Sequence, residues 1–216
     1  MRQLKTPFKM NNSEEPDRLT DIYRAAAKII CEKGYDATSM NDIAEAVGIT
    51  KAGVYHHIPG KKDLLFQIMS FGMDSLEEEV INPARSIKDP EQRLRTIITN
   101  HARLITSRST PEGSNPVTIV VDEVAGLTPE HRKVINKRKR IYVDLVRETL
   151  IQLREEGKLR DIDETVAAFS LLGMILWLSR WYQPDGRLTC DQVAAEVSKM
   201  ALGGLLRPQA RLNRRS

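Results

Sequence analysis

The tightest constraint on this chain is a run of helix starts and stops between Thr38 and Lys61, TSMNDIAEAVGITKAGVYHHIPGK. Ser39 is a good N-cap, because its hydroxyl can take one of the unpaired N–H groups of a first helical turn. Asp42 follows three residues on, near the positive end of the same helix. Met40, Ile43, Ala44 and Val47 recur at spacings of three and four, which puts them on one helical face. Gly48 stops that helix, since glycine takes left-handed backbone angles without strain. Thr50 caps a second, shorter helix whose Val54 and Ile58 face inward, leaving Thr50, Lys51, Ala52, Gly53, Tyr55 and His56 mostly outside. Two helices joined by a short glycine-containing turn make a helix-turn-helix, whose second helix enters the major groove of DNA.

The second helix has the composition this reading needs. Ala52 and Gly53 are too small to hold a backbone away from a groove, and Lys51, Tyr55 and Lys61 can donate to phosphates, which position without specifying. The DNA-facing set is thus Ser39, Thr50, Lys51, Ala52, Gly53, Tyr55, His56 and Lys61. The plainer alternative is a helical hairpin whose lysines are ordinary solvated charges.

The run GYDATSMNDIAEAVGITKAGVYHHIPGKKDLL also resembles the N-terminal domain of the TetR family of bacterial repressors. The resemblance rests on Gly34-Tyr35, Ser39 before Met40, Asp42-Ile43-Ala44, Gly48-Ile49-Thr50-Lys51, Tyr55-His56-His57 and Lys61-Lys62-Asp63-Leu64. Ile58 departs from the family's usual phenylalanine, a swap within the core. The resemblance implies a double-stranded DNA operator, a homodimer and a small-molecule effector.

The other 3.6-period signals make the chain all-α, with about nine helices and no strand-period run. A basic arm, residues 1–14 with Arg2, Lys5 and Lys9, precedes a helix from Glu15 to Lys33. The head spans 15–60. A ligand-binding and dimerisation domain spans 61–206, and a basic tail follows at 207–216. The helix from Lys61 toward Ile81 links head to body and is the natural lever for a switch; Pro83 is expected to stop it or to begin the next loop. Asp89-Pro90, Asn115-Pro116 and Thr128-Pro129 open further helices, to about Ser107, Ala125 and Glu156. Asp161 or Asp163 caps the next helix, and Thr189 with Gln192 forms a capping box for the last.

Two features of the second half bear on function. Val166–Leu178 (VAAFSLLGMILWL) is apolar almost all round, yet at about a dozen residues it is too short for a membrane span. Such a helix needs cover on every side. With the last helix and its small Ala194, Ala201, Gly203 and Gly204, it suits a four-helix bundle across a dimer; burial within one subunit is the alternative.

The second feature is the basic run Arg132-Lys133 and Lys137-Arg138-Lys139-Arg140, read either as a solvated face or as a clamp for an anionic effector. The segment from Trp177 to Leu188 resembles a TetR subgroup responsive to acyl-CoA thioesters. On that reading the effector meets Met69, His101, Leu104, Val120, Met174 and Trp177, with Arg138 and Arg140 on its phosphates. A repressor of drug efflux sensing lipophilic cations is the rival, and acidic residues in the pocket would favour it.

Enzyme readings find little support. There is no glycine-rich phosphate loop, HExxH or nucleophile elbow, and adjacent His56-His57 diverge by about 100° on a helix. An all-helical enzyme or an interaction scaffold remains the alternative from another class. Formal charge is +4, compatible with a nucleic-acid partner. The two cysteines, Cys31 and Cys190, form no zinc or redox motif, and the N-terminus has no apolar signal core, which points to the cytoplasm.

Overall fold

The computed structural model describes residues 18–107 and 119–208. The expectations for the 1–14 arm, the tail beyond Pro208 and the helix start at Asn115-Pro116 lie outside them. Ten α-helical segments are present among the described residues. The head holds α1 (Arg18–Lys33), α2 (Met40–Val47) and α3 (Lys51–His57). The body holds α4 (Lys61–Leu76), α5 (Asn82–Arg85), α6 (Pro90–Ser107), α7 (Ile119–Asp122), α8 (Pro129–Glu155), α9 (Glu164–Trp181) and α10 (Cys190–Leu205). A 3-10 turn, Val124–Gly126, joins α7 to α8. The β structure among these residues is one antiparallel bridge, Leu159 with Leu206. It ties the exit of α8 to the end of α10, and Arg207 continues the tie by donating its N–H to the Lys158 carbonyl at 2.8 Å.

The helices form where the apolar spacing places them. In α1 Ile22, Ala26 and Ile30 are buried, and Gly34 ends the helix at φ 83°. In α4 Leu64, Leu65, Ile68, Met69, Met73 and Leu76 turn inward. Helix α6 is the centre of the body: α8, α9 and α10 all pack on it. Its Leu94, Ile97, Ile98, Leu104 and Ile105 are sealed from solvent, each worth roughly 1.5–3 kcal/mol of burial. One continuous core runs from the head into the body, across the division at residue 60.

Pro83 does not stop the lever. The chain passes from α4 through a π-turn, Glu77–Ile81, straight into α5, with Pro83 in its first turn. The π-turn lengthens the loop of one hydrogen bond, so the Asn82 N–H reaches back to the Glu77 carbonyl. Proline has no N–H for the carbonyl four residues back, and the side-chain amide of Asn100 donates to that Glu79 oxygen at 2.9 Å. A neighbouring helix thus supplies the hydrogen bond that proline cannot.

The apolar α9 is not covered all round by the described residues of one subunit. Ala167, Ala168, Leu171, Leu172, Ile175 and Leu178 face the core, whereas Val166, Phe169, Trp177 and Trp181 are exposed. Helix α10 divides similarly. Val193, Ala194, Val197, Ala201 and Leu202 are buried, leaving Met200, Gly203 and Gly204 outside. Of the small residues read as a contact surface, Ala194 and Ala201 therefore belong to the subunit's own core.

Candidate nucleic-acid interface and internal cavity

In the head, backbone caps fix the two reading helices. Ser39 and Asp42 form a reciprocal box: Ser39 Oγ accepts the Asp42 N–H at 3.1 Å, and Asp42 Oδ2 accepts the Ser39 N–H at 2.8 Å. The Ser39 backbone hydrogen bond, the largest cause, holds the Asp42 carboxyl below its usual range. Gly48 sits at φ 71°, a left-handed turn that a side chain would strain. Thr50 Oγ1 then accepts the Gly53 N–H at 3.1 Å and starts α3. Val54 and Ile58 are buried under α3. Ser39, Thr50, Lys51, Ala52, Tyr55 and His56 are exposed, with Gly53 half-buried between them. The structure thus brings the expected groove-facing residues of α3 onto one open surface. Lys61, at the start of α4, lies 4.2 Å over the Tyr35 ring and donates to the Asp36 carbonyl at 3.3 Å.

A joint between head and body went unread in the sequence. The Tyr35 N–H donates to Glu123 Oε1 at 3.0 Å, from just past α7. Beside it, a Cβ on Gly126 would stand 2.6 Å from the Tyr35 ring and 2.8 Å from Leu65. Only a glycine lets this turn lie so close to the head. The lever is also fixed to α8 at two heights. Phe66 stacks on His131 at 4.0 Å, and lower down Arg138 donates to Asp74 at 2.6 Å and Glu77 at 3.2 Å.

Between α4, α6, α7, α8 and α9 lies a cavity of about 320 Å³. Helix α4 lends it Gly72, Met73 and Leu76, while α6 and α7 contribute His101 and Val120. Lys139, Tyr142 and Val143 enter from α8, and Phe169, Leu172, Gly173 and Leu176 from α9. His101 and Val120 were expected here. Met69 and Leu104 are instead sealed in the core, and Met174 is half-buried against it. Trp177 sits one position past Leu176, turned 100° away, and is 64% exposed. Arg138 likewise precedes the cavity-facing Lys139 by one position and is held by Asp74 and Glu77, so it is not placed as an effector clamp. Arg140 is exposed outside the cavity.

The buried polar feature of the cavity wall is a pair that crosses from α6 to α8. Tyr142 Oη and His101 Nδ1 are 3.0 Å apart, with both side chains buried. Burial lowers the His101 pKa to about 4, so the ring is neutral at physiological pH, and it raises that of Tyr142. Tyr142 was missed, although it shares a helical face with Ile135, Val146 and Leu150, a stripe the sequence displays. Among the described residues, no group of three or more His, Cys, Asp or Glu is placed to hold a metal ion, and no helix is long and apolar enough to cross a membrane.

Comparison with known proteins bears on both halves. Residues 22–68 match the model of bacterial regulatory proteins of the tetR family. Residues 88–205 match that of the tetracyclin repressor-like C-terminal domain. The chain is 28% identical over 200 residues to the HTH-type transcriptional repressor KstR2 of Rhodococcus jostii, spanning 92% of this chain and 96% of that one. It is similar to the structure of AibR in complex with isovaleryl coenzyme A and operator DNA, with a TM-score of 0.77 and 44% identity. That match covers 85% of this chain and 97% of AibR. The structure of the ketosteroid transcriptional regulator KstR2 of Mycobacterium tuberculosis aligns with a TM-score of 0.80 at 25% identity, covering 90% of this chain and 98% of the other.

Proposed function

Because this chain belongs to the TetR family of bacterial regulators, we propose that it is a homodimeric repressor whose operator is released when an acyl-CoA thioester enters the cavity. It is a DNA-binding transcriptional regulator and not an enzyme. On this reading Thr50, Lys51, Ala52, Gly53, Tyr55 and His56 meet the major groove, while Ser39 and Lys61 flank it at the phosphates. Two heads then need half-sites about 34–36 Å apart, or a multiple of helical turns, on a near-palindrome. The exposed Val166, Trp177, Trp181 and Met200, beside Gly203 and Gly204, are the surface through which a second copy supplies the missing cover.

The observation that carries the effector assignment is the cavity: apolar, with Lys139 in its wall and no carboxylate among its described lining residues. This chain's likeness to AibR, whose structure holds isovaleryl coenzyme A, supports the same class. A cavity of about 320 Å³ takes a short acyl group and leaves the nucleotide of coenzyme A outside; Arg140, exposed and next in the chain to the cavity-lining Lys139, is the cation assigned to its phosphates on this reading. Lipophilic cations are the poorer fit, because no carboxylate among the described lining residues would meet them.

Helix α4 carries Gly72, Met73 and Leu76 to the cavity and Lys61 to the head, so a ligand that parts α4 from α8 and α9 changes the head spacing. It acts only by the difference between its affinities for the two spacings, and operator weakens effector binding by the same factor.

A gel shift with the promoter beside the protein's own gene tests this. Isovaleryl-CoA should release the operator and free isovaleric acid should not. Arg140→Ala should weaken the thioester's effect without changing operator affinity in its absence. Release by the free acid as readily as by the thioester would reject the coenzyme assignment.

A further inference from the structure

The His101–Tyr142 pair is more than core packing. Tyr142 makes no other hydrogen bond among the described residues, so its buried O–H is satisfied only by donating to Nδ1 of the neutral His101 ring. That fixes the ring proton on Nε2. Placing it on Nδ1 instead would leave both the tyrosine O–H and Nε2 unmatched. Nε2 has no protein partner among the described residues and is not fully sealed from solvent-sized space, and His101 is one of the residues lining the cavity. One N–H donor therefore remains on a wall that is otherwise almost wholly apolar, on a side chain only 4% exposed. A buried donor left unmade costs free energy that a ligand oxygen recovers on binding.

We propose that His101 Nε2 donates a hydrogen bond to the thioester carbonyl of the effector, with Tyr142 as the positioning residue that sets the tautomer. The pair then decides specificity: the cavity admits many short apolar groups, but it favours those that bring a carbonyl oxygen to this wall. This rests on the acyl-CoA reading above. The basic run has no part in it, because the donor is neutral and recognises the acyl end.

The test compares isovaleryl-CoA with its thioether analogue, 3-methylbutyl-CoA, which keeps the chain and the nucleotide but lacks the carbonyl. Titration calorimetry on the full chain should show the thioester binding about tenfold more tightly. His101→Phe should erase that difference, and His101→Gln, which keeps an N–H donor, should restore part of it. Tyr142→Phe should reduce it by freeing the ring to change tautomer. Thermal melts separate these effects from misfolding, and the glutamine variant keeps the test open if the phenylalanine variant does not fold. Equal binding of the two compounds by the native chain, or a difference undiminished in a folded His101→Phe, would overturn the donor assignment alone. Binding of neither compound would overturn the acyl-CoA reading and this proposal with it.

Discussion

Two stretches of this molecule place neighbouring residues by different rules. Between Ser39 and Ile58 each side chain's direction follows from a cap or a stop within one turn of it: Ser39 and Thr50 start the helices, Gly48 parts them, and Val54 and Ile58 turn in. In α9 the local signals are silent. Leu176 borders the cavity, Trp177 stands in solvent and Leu178 is in the core, though all three are large and apolar. Where the backbone hydrogen bonds decide, sequence position is enough. Where only packing decides, three apolar neighbours have three different fates.

The contrast predicts which substitutions act on assembly and which on the subunit itself. Trp177→Glu, on the outer face, should split the dimer and lower operator affinity by more than about a hundredfold, because a lone head keeps only half the contacts. The helicity and melting of its monomer should be nearly unchanged. Ala201→Glu, about three helical turns from the start of α10 and facing inward, should instead lower the melting temperature by burying a charge. Sedimentation and thermal melts on the pair check this. A Trp177→Glu protein that stays dimeric would remove α9 from the interface.

The cavity wall carries the next largest effect. His101 titrates at about 4 in the folded chain and at 6.5 when unperturbed, so the unfolded chain binds more protons between those values. Stability is therefore complete above about pH 6.5 and falls as the pH drops toward 4, by up to about 3 kcal/mol from this group. Denaturant titrations across that range should show the slope, and His101→Phe should flatten it.

The joint between the two regions comes third. Gly126→Ala would drive a methyl group into the Tyr35 ring and should cost about 1–3 kcal/mol, read as a shift in the denaturant midpoint. If that midpoint did not move, the close contact between the turn and the head would not be a constraint.

The smallest change is expected on the groove-facing surface. Tyr55→Phe removes one hydroxyl from an exposed ring and should weaken all DNA sequences alike, about several-fold. Lys61→Ala should do the same while lowering the salt slope by about one. A changed base preference in either variant would give that residue a reading role.

Sequence alone determined the head, because capping and left-handed glycine are properties of single residues and their nearest N–H groups. The cap at Ser39, the capping box at Thr189, the turn at Gly48 and the start of α6 at Pro90 all stand where the sequence puts them. Tertiary structure decided what those signals do not reach. Pro83 reads as a stop, but Asn100 on α6 supplies the hydrogen bond it lacks. Arg138 reads as one cation of a basic run, but Asp74 and Glu77, more than sixty residues away, hold it to the lever. Ala201 and Gly203 read alike as small residues, yet one is buried in the subunit and the other is left exposed by the described residues. Each outcome depends on which surface a distant segment brings up, a long-range packing choice that helical periodicity narrows to a face but does not complete.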